Sequence, residues 1–523
     1  MMKQSWIGWK ISLCVMGAGV SRRASGVVLS YLLILVKLVV TLLFTPFLVA
    51  SLGVEGYGLY TLIGALAAYL YILDFGMNDS VLRFFVGHEK DKIERDKFFG
   101  KMLGLYAIVG GFVMLAAYGF SVMAEPVFGD QNTPEQVRIL REMILITGFG
   151  AAVVVALNPV GALLSATESF VFLRSMEIAA TVFSTLVMLV VLIRGGGAVA
   201  VVTVATVATV LQAVMRLGYS ICVLGARVRL SLPELEVLRR VGGYAAPIFV
   251  VMIAEVLFWR LDSVLIGSML GAAPIAIYSI GVTFNKYFMS FATALSRVMT
   301  PEIIRQVDQG ADARALTDMM IRVSRIQAMF LLLILGGLIV FGHRFLVLWL
   351  GPEFSSSYWV MLAVLIPYTF ELTGNARNII LQVKGLYWQK SAITFTIAVF
   401  NIPLTLHLLQ VMGVLGAALS TGIAIMLGYM LIALLLKLKV GMEIGRYLVK
   451  TGRGIVPVAA LLTAFGLWIE HFLPAGWMPL IVGGLVYTLL FCLSVYKFGV
   501  NSEERVFIER FLGRLQVWKL RRG

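Results

Sequence analysis

Cysteine is scarce: the 523 residues contain only Cys14, Cys222 and Cys492, widely spaced, so no disulfide framework or paired-cysteine metal site can be drawn. Histidine is equally thin, with His88, His343, His407 and His471 each isolated, and no HExxH motif or Cys/His cluster is present. These two shortages leave no basis for a resident metal or cofactor, and none is expected. A GxxxxGK[ST] loop is missing as well, so the chain carries no nucleotide-driven motor of its own. Asp74-Phe75-Gly76 spells a kinase magnesium motif, but without a glycine-rich loop, HRD or APE it carries no such chemistry. Charge is the largest deficit. Only 14% of residues are charged and 60% are hydrophobic, against about 25% and 45–50% in soluble domains.

Apolar runs of about 20 residues, long enough to cross a hydrocarbon layer, recur between Gly26 and Val500. Fourteen such runs are predicted, which makes the chain an all-α polytopic membrane protein, because lipid-exposed backbone must satisfy its hydrogen bonds within its own segment. Acid is in short supply relative to base, 28 Asp+Glu to 43 Lys+Arg, for a net charge of +15. With the N-terminus placed inside, 34 of the 43 basic residues fall in inner connections, four in outer connections and five within spans. That asymmetry predicts an even number of spans with both termini cytoplasmic, and it assigns the basic residues to topology and lipid headgroups rather than nucleic acid.

A shift of 218 residues lays Leu52-Gly53 on Leu270-Gly271, Tyr60-Thr61 on Tyr278-Ser279, Gly195 on Gly413, Ala200 on Ala418 and Thr203 on Thr421. One offset serving both ends of a six-helix unit indicates duplication. An even repeat predicts halves related by an axis along the membrane normal, with a cavity between them. The expected organisation is a cytoplasmic tail (1–23), an N-lobe of six spans (24–224), an inner linker (225–243), a C-lobe of six spans (244–436), two further spans (437–498) and a cytoplasmic tail (499–523). Residues 501–522 place apolar side chains at helical spacing among charges, as an interfacial amphipathic helix does. The basic, weakly apolar first 23 residues resemble a signal peptide superficially but fit a cytoplasmic flank better, with Met16 as an alternative start.

Charges inside spans are costly and mark interior-facing positions. Lys37 lies mid-way along the first span, and the 218 shift sets it on Glu255 in the seventh, which suggests a charge pair or gate between lobes. Arg260 and Asp262 share the seventh span with Glu255, Lys286 lies in the eighth beside Asn285, and Glu371 and Arg377 lie in the tenth, where Glu371, Asn375 and Asn378 follow i, i+4, i+7. Asp74 sits in the inner half of the second span, followed by Asn78, Asp79 and Arg83. One reading makes Lys37, Arg260, Lys286, Arg377 and Arg83 the ligands of an anionic headgroup. Asp74, Glu255, Asp262 and Glu371 would then exchange a proton or sodium ion or gate the path. The other reading makes them buried ion pairs fixing helix register, or cations snorkelling to an interface. Arg216, near the inner end of its span, fits snorkelling.

The stretch from Pro46 to Phe84 (PFLVASLGVEGYGLYTLIGALAAYLYILDFGMNDSVLRF) resembles the N-terminal signature of the polysaccharide biosynthesis flippases, the O-antigen and exopolysaccharide exporters. Trp259 to Gly281, Phe345 to Phe354 and Gly413 to Ala424 are similar to later segments of that family. The resemblance implies a multidrug/oligosaccharidyl-lipid/polysaccharide (MOP) exporter fold of two six-helix lobes plus two C-terminal helices. It also implies flipping of a polyprenyl-diphosphate-linked oligosaccharide across a bacterial inner membrane for O-antigen, exopolysaccharide or capsule, with a polymerase or other assembly proteins as partners. Tyr69, Tyr71, Trp259, Tyr287 and Tyr368 offer faces for sugar stacking, or ordinary packing. A cation-coupled drug or metabolite exporter of the same superfamily is the alternative. A membrane polymerase or ligase is disfavoured, because the longest outer connection, near Met123 to Arg141, is short and lacks a paired-acid or Ser/His set.

Overall fold

The computed structural model describes residues 22–87, 92–501 and 504–505; the amphipathic tail and the N-terminal segment read from the sequence lie outside them. Among the described residues there are helices and no strands. They form two compact units, Met1–Val256 with Gly267–Ala273, and Leu257–Ile266 with Pro274–Gly523.

The first unit contains α1 (Arg22–Tyr71), a 3-10 turn (Ile72–Asp74), α2 (Met77–Gly87), α3 (Lys92–Phe128), α4 (Pro134–Ala156), α5 (Asn158–Ala166), α6 (Phe170–Ile193), α7 (Ala198–Cys222) and most of α8 (Leu235–Met269). Helix α4 is started by a capping box: the Thr133 hydroxyl accepts from Gln136 N while the Gln136 amide oxygen accepts from Thr133 N, with Pro134 supplying the first helical φ. The core packs α3 against α4 and α2 against α5 around Phe85, Phe99, Met102 and Tyr106. The second unit continues with α9 (Ala272–Asp308), α10 (Ala313–Leu350), α11 (Ser357–Thr373), α12 (Ala376–Val383), α13 (Tyr387–Met412), α14 (Val414–Val440), α15 (Ile444–Gly452), α16 (Ile455–Glu470) and α17 (Trp477–Ser494), closed by a π turn at Val495–Gly499. Here α13 and α11 pack on α14, while α15, α16 and α17 gather on α10. Tyr487 of α17 reaches α10 at Gly336, where an added Cβ would stand 2.0 Å from its hydroxyl.

Among the described residues, nine helices are long and apolar enough to cross a membrane, or up to eleven if each bent pair is one span. The difference from fourteen has identifiable causes. Helix α1 is 50 residues long, about 75 Å, more than twice a hydrocarbon layer of about 30 Å. Gly53, at φ 71° and ψ 172°, breaks it into two span-length pieces. The tenth predicted span is divided at Gly374–Asn375 into α11 and the eight-residue α12, and the eighth carries Asn285 and Lys286 in its middle. The backbone supports the repeat: Gly53 and Gly271 both adopt positive φ, as do Gly195 and Gly413, each pair 218 residues apart.

Within the first unit, residues 227–234 run as a strap over two glycines of α3. A Cβ on Gly100 would stand 1.9 Å from the Arg229 carbonyl oxygen, and one on Gly104 2.3 Å from that of Ser231. Lys101 holds Glu234 at 2.7 Å, and Asp96 accepts from Arg227 N at 3.3 Å. Small residues thus admit backbone rather than a second helix. Overpacking costs about 1–3 kcal/mol, so Gly100→Ala should speed tryptic cleavage at Arg227 and Arg229 about tenfold. Gly111→Ala, which meets open space, should leave the cleavage rate unchanged.

Candidate functional site

Among its described residues, the second unit buries one carboxylate without a cation against it. Asp262, 2% exposed on α8, accepts Tyr278 Oη of α9 at 2.5 Å and Thr421 Oγ1 of α14 at 2.6 Å on Oδ2, and Thr405 Oγ1 of α13 at 3.4 Å on Oδ1. Thr405 also shares a 2.6 Å hydrogen bond with Ser420. Asn401, one turn before Thr405 on the same face of α13, buries an amide oxygen with no partner among the described residues. Four helices therefore converge oxygens on one interior point, and hydroxyl donors offset the desolvation of the carboxylate. A proton, or a cation with hard oxygen preferences, matches that donor set. Tyr278 and Thr421 entered the sequence reading only through the repeat, since a hydroxyl in an apolar run signals nothing by itself.

Arg260 and Lys286, one on α8 and one on α9, stand in each other's electrostatic field, and among the described residues neither has an acidic partner. Lys286 is exposed, while the neighbouring Asn285 is 4% exposed, with neither amide atom hydrogen-bonded among the described residues. Two repelling cations in a low-dielectric setting favour an anion between them. Trp259 and Tyr368 meet edge to face with centroids 5.3 Å apart, and the Tyr368 hydroxyl reaches the Met289 sulfur at 2.9 Å. Arg377 is placed differently. It is 1% exposed, forms an ion pair with Glu371 and covers the Tyr429 ring at 4.8 Å. The expected i, i+4, i+7 face of Glu371, Asn375 and Asn378 is interrupted by the break at Gly374. Asn378 instead donates to Asn375 at 2.8 Å, and Arg377 folds back on Glu371.

In the first unit, Asp74 closes the 3-10 turn, and Phe75 and Gly76 follow at φ 54° and 67°. This break moves Asp74 off the α2 face that carries Arg83, and sets its carboxylate at the start of α2, accepting Asn78 N at 3.4 Å. Asn158, at the corresponding break between α4 and α5, donates to Asp74 at 3.2 Å, and the buried Tyr106 hydroxyl lies beside it. Arg83 covers the Tyr244 ring at 4.9 Å. Lys37, which the repeat set on Glu255, meets Glu177 of α6 at 2.9 Å. Glu177 escaped the sequence reading because it sits near a predicted span end, where an acid is unremarkable. Glu255 is exposed on α8, unlike the buried Asp262 seven residues on.

A family model described as polysaccharide biosynthesis protein matches residues 48–358, more than half of the chain. The chain belongs to that family. No curated protein matches the sequence. Among solved structures, the chain is similar to the lipid II flippase MurJ in an inward closed conformation, at TM-score 0.72 and 14% identity, over 90% of this chain and 98% of that one. A multidrug resistance MATE family transporter of the MOP superfamily, facing inward, superposes at TM-score 0.59 and 16% identity over 82% and 96%. A MOP superfamily transporter from Pyrococcus furiosus gives 0.53 and 17% over 82% and 97%. At these identities the likeness establishes the fold: the chain is a multi-pass membrane protein built as MurJ and the MATE transporters are.

Proposed function

We propose that this protein flips a polyprenyl-diphosphate-linked oligosaccharide from the cytoplasmic to the outer leaflet of a bacterial inner membrane, for O-antigen, exopolysaccharide or capsule assembly. The observation that carries the reading is the pair of mid-span cations, Arg260 and Lys286, without an acidic partner among the described residues. A diphosphate would offset their repulsion and keep its charge-assisted hydrogen bonds while crossing a low-dielectric layer. Lys37 is a candidate headgroup ligand within the first unit. Asp262, with Tyr278, Thr405 and Thr421, serves as the site where a proton or sodium ion is exchanged, and Asp74 with Asn158 is its counterpart in the first unit. Arg377 and Glu371 then act on each other, holding the broken tenth span, and Arg83 is held by Tyr244. Glu255 remains the candidate gate. Both termini lie in the cytoplasm, and a polymerase is the natural downstream partner because it consumes the flipped glycan.

The fold shared with MATE transporters favours one second reading, a cation-coupled exporter of small molecules. Deleting the protein separates the two. A flippase leaves polyprenyl-linked oligosaccharide on the cytoplasmic face and removes surface glycan; an exporter leaves glycan unchanged and alters drug sensitivity. In the deleted strain, Arg260→Gln with Lys286→Gln should restore less than about a tenth of the surface glycan, since hydrogen bonds to charged groups contribute about 1.5–3 kcal/mol each. Full restoration by the double variant would sink the cationic role.

A further inference from the structure

Helices α1, α6 and α7 of the first unit pack on one another, and each brings a cation to the same place. Glu177, two turns into α6, accepts Lys37 Nζ on Oε1 and Arg174 Nη1 on Oε2, both at 2.9 Å. Arg216, from α7, stands in the field of Glu177 and Arg174. Its Nε is buried and has no acceptor among the described residues. Both oxygens of the carboxylate are thus engaged while a buried guanidinium N–H has no acceptor among the described residues, and the cations of three helices all bear on the one carboxylate of Glu177. Snorkelling does not account for Arg216, because a cation reaching the interface would not bury Nε beside a second arginine. A tetrahedral phosphate supplies what the carboxylate does not: more acceptor oxygens, more charge, and the fork geometry that guanidinium groups match.

We propose that Lys37, Arg174 and Arg216 form a phosphate-binding site in which Glu177 is a built-in occupant that a phosphorylated ligand displaces. The chemistry is that of a phosphate or diphosphate headgroup. Assigning it to the diphosphate of the transported lipid rests on the flippase reading, whereas the site itself does not. Displacing Glu177 frees its carboxylate from both cations, so ligand entry would rearrange the contact between α1 and α6 and thereby report occupancy to the first span.

The test is binding of inorganic pyrophosphate to the full chain in nanodiscs of zwitterionic lipid, followed by calorimetry. Arg216→Gln should weaken binding about tenfold and Arg216→Lys less, while Glu177→Gln should tighten it about tenfold by removing the internal competitor. Variants are compared only where gel filtration shows monodisperse protein. Glu177→Gln and Arg216→Gln both binding as the wild type does would overturn the site, leaving Glu177 a structural partner. Repeating the titration in equimolar phosphatidylcholine and phosphatidic acid separates sources: competition by phosphatidic acid supports a site open to any phosphate headgroup, and its absence supports one reserved for soluble or diphosphate ligands. If pyrophosphate binding follows this pattern while deletion of the protein leaves surface glycan unchanged, the flippase reading fails and the phosphate site stands.

Discussion

On the proposed flippase function, replacing Asp262 with asparagine should reduce surface glycan about a hundredfold while the protein still accumulates in the membrane. The side chains have nearly the same size, so the packing of α8 against α9, α13 and α14 survives. The charge does not. Tyr278, Thr421 and Thr405 direct hydroxyls at Asp262, and those donors can be offered to a carboxylate whichever ion it exchanges. An asparagine amide nitrogen can only donate, so at least one of these hydroxyls must turn to accept from it. On the proposed ion-exchange role, the larger loss is in the bound ion. With Asp262 buried, its interaction with a cation is screened far less than in water, and losing about 2.7 kcal/mol of it corresponds to a hundredfold weaker site. Thr421→Val removes the 2.6 Å donor but keeps the charge, so its defect should be nearer tenfold. Membrane levels are checked by immunoblot, and the rate of glycan appearance by pulse labelling. A normal rate with Asp262→Asn would remove Asp262 from the coupling step.

The membrane fold was legible because its signals are cumulative. Apolar run length and the repeat at 218 residues each draw on many positions, and the positive φ shared by Gly53 and Gly271, and by Gly195 and Gly413, is a backbone counterpart of the repeat. Pairings were less legible. The repeat sets Lys37 on Glu255, but it offers no pointer to Glu177, which meets Lys37 at 2.9 Å from a helix the repeat does not relate to it. Helix breaks defeated the periodic reading elsewhere: at Phe75-Gly76 and at Gly374 the chain leaves helical geometry, so Asp74 and Glu371 no longer share a face with the residues spaced after them. The Asp262 cluster draws on four helices, and its hydroxyl donors are residues whose role depends entirely on what stands opposite. Arg325 and Glu504 show the same limit. Both lie at the ends of apolar stretches, where a sequence reading assigns them to the interface, yet they are 2% and 8% exposed.

Replacing Arg325 with methionine should destabilise the second unit by about 3–5 kcal/mol, the cost of stripping one partner from a buried ion pair. All five guanidinium N–H groups are engaged. Nε donates to Glu504 Oε1 at 2.6 Å, Nη1 to the carbonyls of Lys450 and Arg453 at 2.9 Å each, and Nη2 to the Gly499 carbonyl at 2.5 Å and Glu504 Oε2 at 3.1 Å. Lys450 lies in the last turn of α15, Arg453 follows its end and Gly499 ends the π turn after α17, so the cation satisfies carbonyls that a helix terminus leaves open and complements their dipoles. Glu504 also accepts Asn501 N at 2.8 Å, which fixes the exit of the chain from α17. The single side chain therefore fastens α10 to the ends of the last helices. Lysine carries one charge but three donors and cannot reach all these acceptors, so Arg325→Lys should lose about half as much. Glu504→Gln leaves Arg325 its three carbonyls and should cost less than Arg325→Met. The double variant should cost less than the sum of the singles, because the second change removes the charge that the first left buried without a partner. Thermal unfolding in detergent, followed by tryptophan emission, measures all four. Additive losses would show that the two side chains stabilise the unit independently.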